Sequence, residues 1–150
     1  MSWSPNVTVA AILERDGRFL FVEEESDGLI VFNQPAGHLD PGETLLQACA
    51  RETLEETGWT MEPTALVGAY LLEARGGATT YLRFCFAGRL IAHDPARKLD
   101  KEIVRTVWMN REELVAEAPK HRSRLVLRCV DDYLAGRRFP LDFVHDARFP

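Results

Sequence analysis

The chain has 150 residues, of which 46% are hydrophobic and 27% are charged. A chain of this length and composition can bury a full core without disulfides, so we expect a single domain over residues 1–150. The net charge of −5 comes from 18 basic and 23 acidic residues. This balance argues against a nucleic-acid polymer as the main partner, because proteins that track a phosphate backbone are generally basic.

The cysteines and the hydropathy pattern indicate the compartment. Cys49, Cys85 and Cys129 are widely spaced and form no C-x-x-C pair, which is typical of reduced thiols rather than of disulfides or a zinc site. The N-terminus lacks a basic segment followed by an apolar run, and no run of about 18 apolar residues occurs. We therefore expect a soluble cytoplasmic protein that makes no membrane contact.

The residue pattern in the first third of the chain predicts strands. Residues 7–13 and 19–22 are rich in β-branched and aromatic side chains and flank Asp16-Gly17, a pattern that predicts a hairpin with a tight turn. The acidic run that follows, Glu23 to Glu25, is typical of a solvated strand end. Val31-Phe32 and the stretch to residue 36 then lead into a segment with stronger signals.

Residues 37–59, which read GHLDPGETLLQACARETLEETGW, predict a loop, a helix and a second loop. Asp40-Pro41-Gly42 is a turn signal, and Gly58 is well placed to end the helix. One helical face is expected to be buried through a stripe of small and apolar residues: Leu46, Cys49, Ala50 and Thr53.

A second face of this helix carries three carboxylates in the last turn, Glu52, Glu55 and Glu56. Each close pair of like charges costs roughly 0.2–0.5 kcal/mol, and the helix dipole is already negative at this end. A hard divalent cation such as Mg²⁺ or Mn²⁺ would relieve this repulsion. The alternative is an ordinary solvated acidic face.

The second half of the chain predicts more strands and two helices. Strands are expected at residues 65–72 and 80–87, separated by the loop Arg75-Gly76-Gly77, and again at residues 104–109. Helices are expected at residues 111–116 and 123–135. This order of elements predicts a mixed sheet that is covered by helices on both sides.

The pattern G-x5-E-x7-R-E-U-x-E-E-x-G-U, with U a bulky apolar residue, runs from Gly37 to Trp59. It is identified as a Nudix box, and only Thr53 departs from it, where an aliphatic residue is usual. The resemblance implies an α/β/α sandwich with a mixed β-sheet and a catalytic loop-helix-loop. It also implies hydrolysis of phosphoanhydride bonds with Mg²⁺ as cofactor and Mn²⁺ as a possible substitute.

The resemblance also implies roles for residues of the box. Glu52 and Glu56 are the expected metal ligands, and Glu55 is a third that shares metals or takes the proton from water. The carbonyl of Gly37 is a further candidate to face the metal. Glu43 and Arg51 are expected to form an orienting ion pair, while a direct contact of Arg51 with phosphate is the alternative.

Candidates outside the box have two interpretations each. Glu102 is the first candidate for general base or additional ligand, with Asp100 second, and the alternative is a surface charge. Arg83 alternates with apolar neighbours, so it either faces solvent or binds a substrate phosphate. The acidic run at residues 23–25 either ends a solvated strand, or its Glu23 or Glu25 contacts a base or amine of the substrate. Arg122 and Arg124 either bind an anion or lie at the solvated start of a helix.

Beyond the box, nearly the whole chain resembles one phosphatase branch of the family, through segments such as VTVA, VEEE, NQPAGHLDPGETL, LRFCFAG, HRSRLV and YLAGRRFPLDFV. This resemblance implies removal of the terminal phosphate from nucleoside di- and triphosphates, hydroxymethylpyrimidine pyrophosphate and thiamine pyrophosphate. The alternatives are a pyrophosphohydrolase for nucleotide sugars, dinucleotides or oxidised nucleotides, and a non-catalytic ligand-binding module. The sequence leaves monomer and homodimer equally open.

Overall fold

The computed structural model describes residues 2–74 and 76–148, and Arg75 of the predicted loop lies outside them. Within this part of the chain, the strands form two four-stranded sheets. The first has the order β5-β1-β7-β6, with β1 and β7 parallel and the other pairs antiparallel. Its strands are β1 (Asn6–Ile12), β5 (Ala36–His38), β6 (Trp59–Glu73) and β7 (Thr80–His93).

The second sheet is built around β3, which pairs antiparallel with each of its three neighbours. Its strands are β2 (Glu14–Arg15), β3 (Arg18–Ser26), β4 (Leu29–Asn33) and β8 (Ile103–Met109). The described residues also form the helices α1 (Leu45–Thr57), α2 (Arg111–Ala116) and α3 (Leu125–Leu134), with short 3₁₀ turns at Ala118–Lys120 and Leu141–Phe143.

Two hydrophobic clusters lie on opposite faces of the first sheet. Val9 and Ala11 of β1 point to the cluster that contains Cys49 of α1. Ala10 and Ile12 point to the other cluster, which contains the buried face of α3. Because alternate residues of β1 are buried on both sides, the sheet is the middle layer of an α/β/α sandwich. This architecture confirms the predicted fold class.

The prediction that the first two strands form a hairpin is wrong, because β1 pairs with β5 and β7 rather than with β3. Asp16 and Gly17 have φ angles of 52° and 78° and do form a two-residue turn, but this turn joins β3 to the two-residue β2. The strand at residues 6–12 lies in the other sheet, because its continuous apolar run suits a position with both faces covered. A second two-residue turn at Asp27-Gly28 joins β3 to β4, and its Asp-Gly signal was available in the sequence.

The later elements agree with the prediction in order but not always in length. α2 spans the predicted residues, and α3 begins two residues later than expected. β6 and β7 extend well beyond the predicted strands as one long ribbon, with register shifts at three places along β6. In the described residues, no helix has the length and apolar character needed to cross a bilayer.

Candidate active site

Both ends of α1 are fixed by the local sequence. At the N-terminus, the Thr44 side chain accepts a hydrogen bond from the Gln47 amide at 3.1 Å, and the Gln47 side chain accepts one from the Thr44 amide at 2.9 Å. At the C-terminus, Gly58 has a φ of 77° and donates its amide to the Leu54 carbonyl. This reciprocal cap and the glycine stop place the three glutamates in the last helical turn.

Glu56 is the most buried of these glutamates, with 4% of its surface exposed. Its Oε1 accepts a hydrogen bond from the Ala36 amide at 3.0 Å, which ties α1 to β5. Burial, with a smaller contribution from the nearby charges of Glu24, Glu52 and Asp100, raises the pKa of Glu56 to about 9. Burial likewise raises the pKa of Glu52 to about 6. Carboxyl groups held in such a setting favour a bound cation.

Arg51 joins α1 to the loop that precedes it. Its Nε and Nη2 donate to both carboxylate oxygens of Glu43 at 3.0 and 2.7 Å, and Nη2 also donates to the His38 carbonyl at 2.9 Å. Nη1 donates to Glu52 at 2.8 Å and, more weakly, to Glu55 at 3.4 Å. The hydrogen bond from Arg51 lowers the pKa of Glu43. In this geometry Arg51 would have to exchange partners before it could contact a phosphate.

Gly37 lies directly against the carboxyl group of Glu52. A Cβ built on Gly37 would overlap the Glu52 carboxyl atoms, so the side chain can occupy its position only because residue 37 lacks a Cβ. β5 holds Gly37 opposite Val9 of β1, and the backbone therefore has little freedom to move away. The glycine of the motif is explained here by close packing against an acidic side chain.

Replacement of Gly37 by alanine is expected to destabilise the protein by about 1 kcal/mol, because the added methyl group displaces the Glu52 carboxyl from its contact with Arg51. In a Glu52→Ala background, which removes the overlapping atoms, the same change should cost much less. Denaturant unfolding of the four proteins measures both costs. An equal cost in the two backgrounds would contradict this account of Gly37.

The loop before β8 brings two more carboxylates to the end of α1. Single oxygen atoms of Glu52, Glu55 and Asp100 lie within 4.8 Å of one another, as do those of Glu56, Asp100 and Glu102. The Asp100 amide donates to the Glu55 carbonyl at 3.1 Å, which fixes the loop against the helix end. Asp100, the second candidate from the sequence, is therefore common to both groups, while Glu102, the first candidate, belongs to one. Five carboxylates of this kind are suitable ligands for hard divalent cations.

Two residues of the acidic run near the end of β3 are buried rather than solvated, whereas the third, Glu25, is exposed as predicted. Glu23 and Glu24 are 8% and 4% exposed. Glu23 pairs with Arg105 and Lys120 at 3.1 and 3.3 Å, and Glu24 pairs with Arg122 at 2.9 Å. These cations come from 82 to 98 residues later in the chain, so no local signal could predict the burial. Glu23 is buried and both of its carboxylate oxygens already accept from cations, so it is poorly placed to contact substrate.

Arg83 is buried, with 7% of its surface exposed, and the solvent-facing interpretation is therefore wrong. It donates to the side chains of Gln34 at 2.9 Å and Asn33 at 3.1 Å, and Gln34 in turn donates to the Val126 carbonyl at 2.7 Å. The opposite projection from Phe84 is as expected, since Phe84 packs with the α1 cluster. Arg83 thus links β7 and α3 to the linker that leads into β5.

Comparisons with known proteins show the family of this chain. The family model described as NUDIX domain matches residues 3–129. Phosphatase NudJ of Escherichia coli (strain K12) is 38% identical over 148 residues, which cover 99% of this chain and 95% of that protein. A solved NUDIX hydrolase from Nitrosomonas europaea is 49% identical, covers 98% of this chain and 100% of its own, and superposes with a TM-score of 0.94. The MutT NUDIX hydrolase from Burkholderia pseudomallei, at 18% identity and a TM-score of 0.74 over 87% of this chain and 98% of its own, shares the fold alone.

The chain therefore belongs to the Nudix family and is a hydrolase that acts on phosphoanhydrides. Within the family, it is a homologue of Phosphatase NudJ over nearly its full length. The phosphatase branch expected from the sequence segments is thus confirmed. The carboxylates at the end of α1 can hold the divalent metal that enzymes of this family generally use.

Proposed function

We propose that the protein is a Mg²⁺-dependent phosphatase that releases the terminal phosphate of nucleoside di- and triphosphates and of thiamine-related pyrophosphates, hydroxymethylpyrimidine pyrophosphate and thiamine pyrophosphate. The observation that carries this proposal is the presence, at the end of α1, of two sets of three carboxylates that have Asp100 in common. The full-length similarity to Phosphatase NudJ supports orthophosphate as the product. We further propose that residues 1–150 act as one domain in the cytoplasm, as a monomer or a homodimer.

The residues that would hold the metal are all hard oxygen donors: Glu52, Glu55, Glu56, Asp100 and Glu102. When bound there, Mg²⁺, or Mn²⁺ in its place, would neutralise phosphate oxygens and lower the pKa of a water molecule. The Gly37 carbonyl stays a further candidate ligand, since its residue lies against Glu52. Arg51, itself held by Glu43, donates to Glu52 and so fixes the position of that carboxylate.

The proton of the attacking water needs an acceptor that is close to the metal ligands. We propose Glu102 for this role, or for an additional ligand, because it belongs to one carboxylate group and comes from a loop rather than from the helix. Glu55 is the alternative, since its side chain is 32% exposed and therefore reachable from the cleft.

The relative importance of the loop carboxylates can be measured directly. Replacement of Asp100 by asparagine is expected to lower kcat/KM by about a hundredfold or more, because Asp100 contributes to both groups. Replacement of Glu102 by glutamine is expected to lower kcat with little change in metal affinity if Glu102 accepts the proton. Steady-state rates at several Mg²⁺ concentrations separate the two effects. An unchanged rate in the Glu102 variant would remove that residue from the catalytic set.

The organic part of the substrate has a candidate site beside the metal ligands. A groove of about 310 Å³ is lined by Glu25, Asp27, Lys101 and Glu102. Its acidic lining suits a ring that presents N–H donors, as an aminopyrimidine does. This chemistry favours Glu25 over Glu23 as the residue that meets an amine, because Glu23 is already paired with Arg105 and Lys120. Nucleotide sugars, dinucleotides and oxidised nucleoside triphosphates are the alternative substrates.

The proposal is tested by the products of hydrolysis. Purified protein with Mg²⁺ is given hydroxymethylpyrimidine pyrophosphate, thiamine pyrophosphate, and nucleoside di- and triphosphates at equal low concentration. We expect orthophosphate, with the pyrimidine pyrophosphate turned over fastest. Pyrophosphate from a triphosphate would instead support a nucleotide pyrophosphohydrolase, and absence of turnover on every compound would support a ligand-binding module. The Glu56→Gln variant, prepared in parallel, controls for contaminating phosphatases.

A further inference from the structure

Arg122 is held in place by its own backbone amide and by the contacts of the preceding residue. Its amide donates to the Phe32 carbonyl at 2.9 Å, and the preceding residue, His121, forms a β-bridge with Phe32. A ring nitrogen of His121 lies 2.7 Å from the Leu114 carbonyl. The segment is thus fastened along the outer edge of β4. An arginine presented from such a segment has a defined position rather than a freely moving one.

The side chain of Arg122 reaches inward to a buried carboxylate. Its Nη1 donates to Glu24 at 2.9 Å, and the Glu24 side chain is only 5% exposed while that of Arg122 is 42% exposed. Among the described residues, Glu24 is the one side-chain hydrogen-bond partner of Arg122. A guanidinium group carries five N–H donors in a planar fork, so most of the donors of Arg122 remain available to a ligand.

This ion pair lies beside the metal-binding carboxylates. The strand register sets Glu24 opposite Ile103 of β8, and the Glu25 amide donates to the Glu102 carbonyl at 2.9 Å. Arg122 is therefore a partly exposed cation whose partner, Glu24, lies next to the loop that carries Asp100 and Glu102.

A pyrophosphate substrate needs positive charge at two places. A divalent cation held by Glu52, Glu55 and Glu56 would neutralise part of the charge of the substrate, but its other oxygens would still face acidic side chains. A guanidinium group matches two phosphate oxygens at once, which a lysine cannot do. Glu24 would hold one edge of the guanidinium and leave the other edge directed at the ligand.

We propose that Arg122, positioned by Glu24, binds the terminal phosphate of the substrate beside the metal-binding carboxylates and so determines that phosphate-terminated pyrophosphates are used. This inference rests on the proposed function. Arg122 contacts the substrate, whereas Glu24 acts through Arg122 as a positioning residue. Substrates whose terminal phosphate is esterified would lose this contact, which is the property that separates a phosphatase from a hydrolase of dinucleotides or nucleotide sugars.

The test compares Arg122→Ala and Arg122→Lys with Arg111→Ala. Arg111 is a suitable control because it is also an exposed arginine with one carboxylate partner, Asp131, and lies on α2. We expect Arg122→Ala to raise the KM for thiamine pyrophosphate, and the inhibition constant of orthophosphate, by about ten- to a hundredfold. The lysine variant should fall between Arg122→Ala and wild type, kcat should change much less than KM, and Arg111→Ala should match wild type.

A purely structural role for Arg122 would give a different result. Loss of the cation leaves Glu24 buried without its partner, so Arg122→Ala alone could unfold the segment. The double variant Glu24→Gln/Arg122→Ala removes both charges and keeps the test valid. We expect it to show a normal melting temperature and still a raised KM and weakened inhibition by orthophosphate. Wild-type values of both constants in this stable variant would overturn the proposal.

The same experiment separates this inference from the proposed function. If wild-type protein releases orthophosphate and the Arg122 variants keep its KM, the Arg122 proposal fails and the phosphatase assignment stands. If wild-type protein hydrolyses none of the pyrophosphates, the assignment fails, and calorimetric titration of Mg²⁺-loaded protein with orthophosphate still tests Arg122. Binding that is weakened in the double variant supports the proposal, and equal binding overturns it.

Discussion

Replacement of Glu56 by glutamine is expected to lower kcat/KM by about three orders of magnitude or more. Glu56 is the buried member of the helix carboxylates, and its Oε1 is fixed by the Ala36 amide. The glutamine carbonyl can still accept that hydrogen bond, so the fold should persist, but the negative charge that attracts the metal is lost. Circular dichroism and steady-state rates on the same preparation measure both properties, and retained turnover would remove Glu56 from the ligand set.

The same substitution is expected to stabilise the metal-free protein at alkaline pH. Burial raises the pKa of Glu56 to about 9, from an unperturbed value of 4.5. A carboxyl whose pKa is higher in the folded state favours folding most below the lower value, and that contribution is lost as the pH rises towards the higher one. Glutamine does not titrate and avoids this loss.

In the presence of EDTA, the melting temperature of the wild type should therefore fall relative to Glu56→Gln between about pH 5 and about pH 9. A pKa change from 4.5 to about 9 sets an upper limit of about 6 kcal/mol on this difference. Added Mg²⁺ should restore wild-type stability and leave the variant unchanged, because only the wild type has the full ligand set. If the melting temperatures of the two proteins changed equally with pH across this range, ionisation of Glu56 would not destabilise the fold, and the prediction would be wrong.

Replacement of Arg51 by alanine is expected to destabilise the protein by about 2–4 kcal/mol, because it leaves partly buried carboxylates without their cation. Arg51 holds Glu43 through two hydrogen bonds and also contacts Glu52 and the His38 carbonyl. The variant should also lose activity, since Glu52 is no longer held at the metal site. Denaturant unfolding and kcat/KM measure the two consequences.

The control for Arg51 is an arginine with a single exposed partner. Arg18 contacts Glu113 with both side chains about half exposed, and Arg18→Ala should cost less than about 1 kcal/mol. Arg51→Lys should be intermediate, because a lysine keeps the charge but cannot match both oxygens of Glu43. A cost for Arg51→Ala as small as that for Arg18→Ala would contradict a central role of Arg51 in the site.

The helix of the box could be predicted because its signals are local. Its caps lie within a few residues of the helix ends, and the buried stripe follows helical spacing, although Ala48, which was not in the predicted stripe, is buried with Cys49. The departure at Thr53 is also understandable. Thr53 is fully buried, and its hydroxyl donates to the Cys49 carbonyl at 2.8 Å, so it needs no partner from the core.

The remainder of the site depends on contacts between distant parts of the chain. Arg122 meets Glu24 across 98 residues, and Arg83 meets Gln34 across 49. Charge runs and strand alternation alone favour solvent for all of these residues, because burial of a charge is rare without a partner and the partner is not visible in the local sequence. For the same reason, the sequence could not rank Asp100 against Glu102, because only the folded loop shows that Asp100 belongs to both sets of carboxylates.

The most direct test of the central claim is binding of Mn²⁺, followed by electron paramagnetic resonance, to the wild type and to Glu56→Gln and Asp100→Asn. The carboxylates at the end of α1 and in the loop before β8 are proposed to hold the catalytic metal together. We expect the wild type to bind Mn²⁺ and each variant to bind it at least about tenfold more weakly, with the Arg111→Ala control unchanged. Wild-type affinity in both carboxylate variants would place the metal elsewhere and contradict the account.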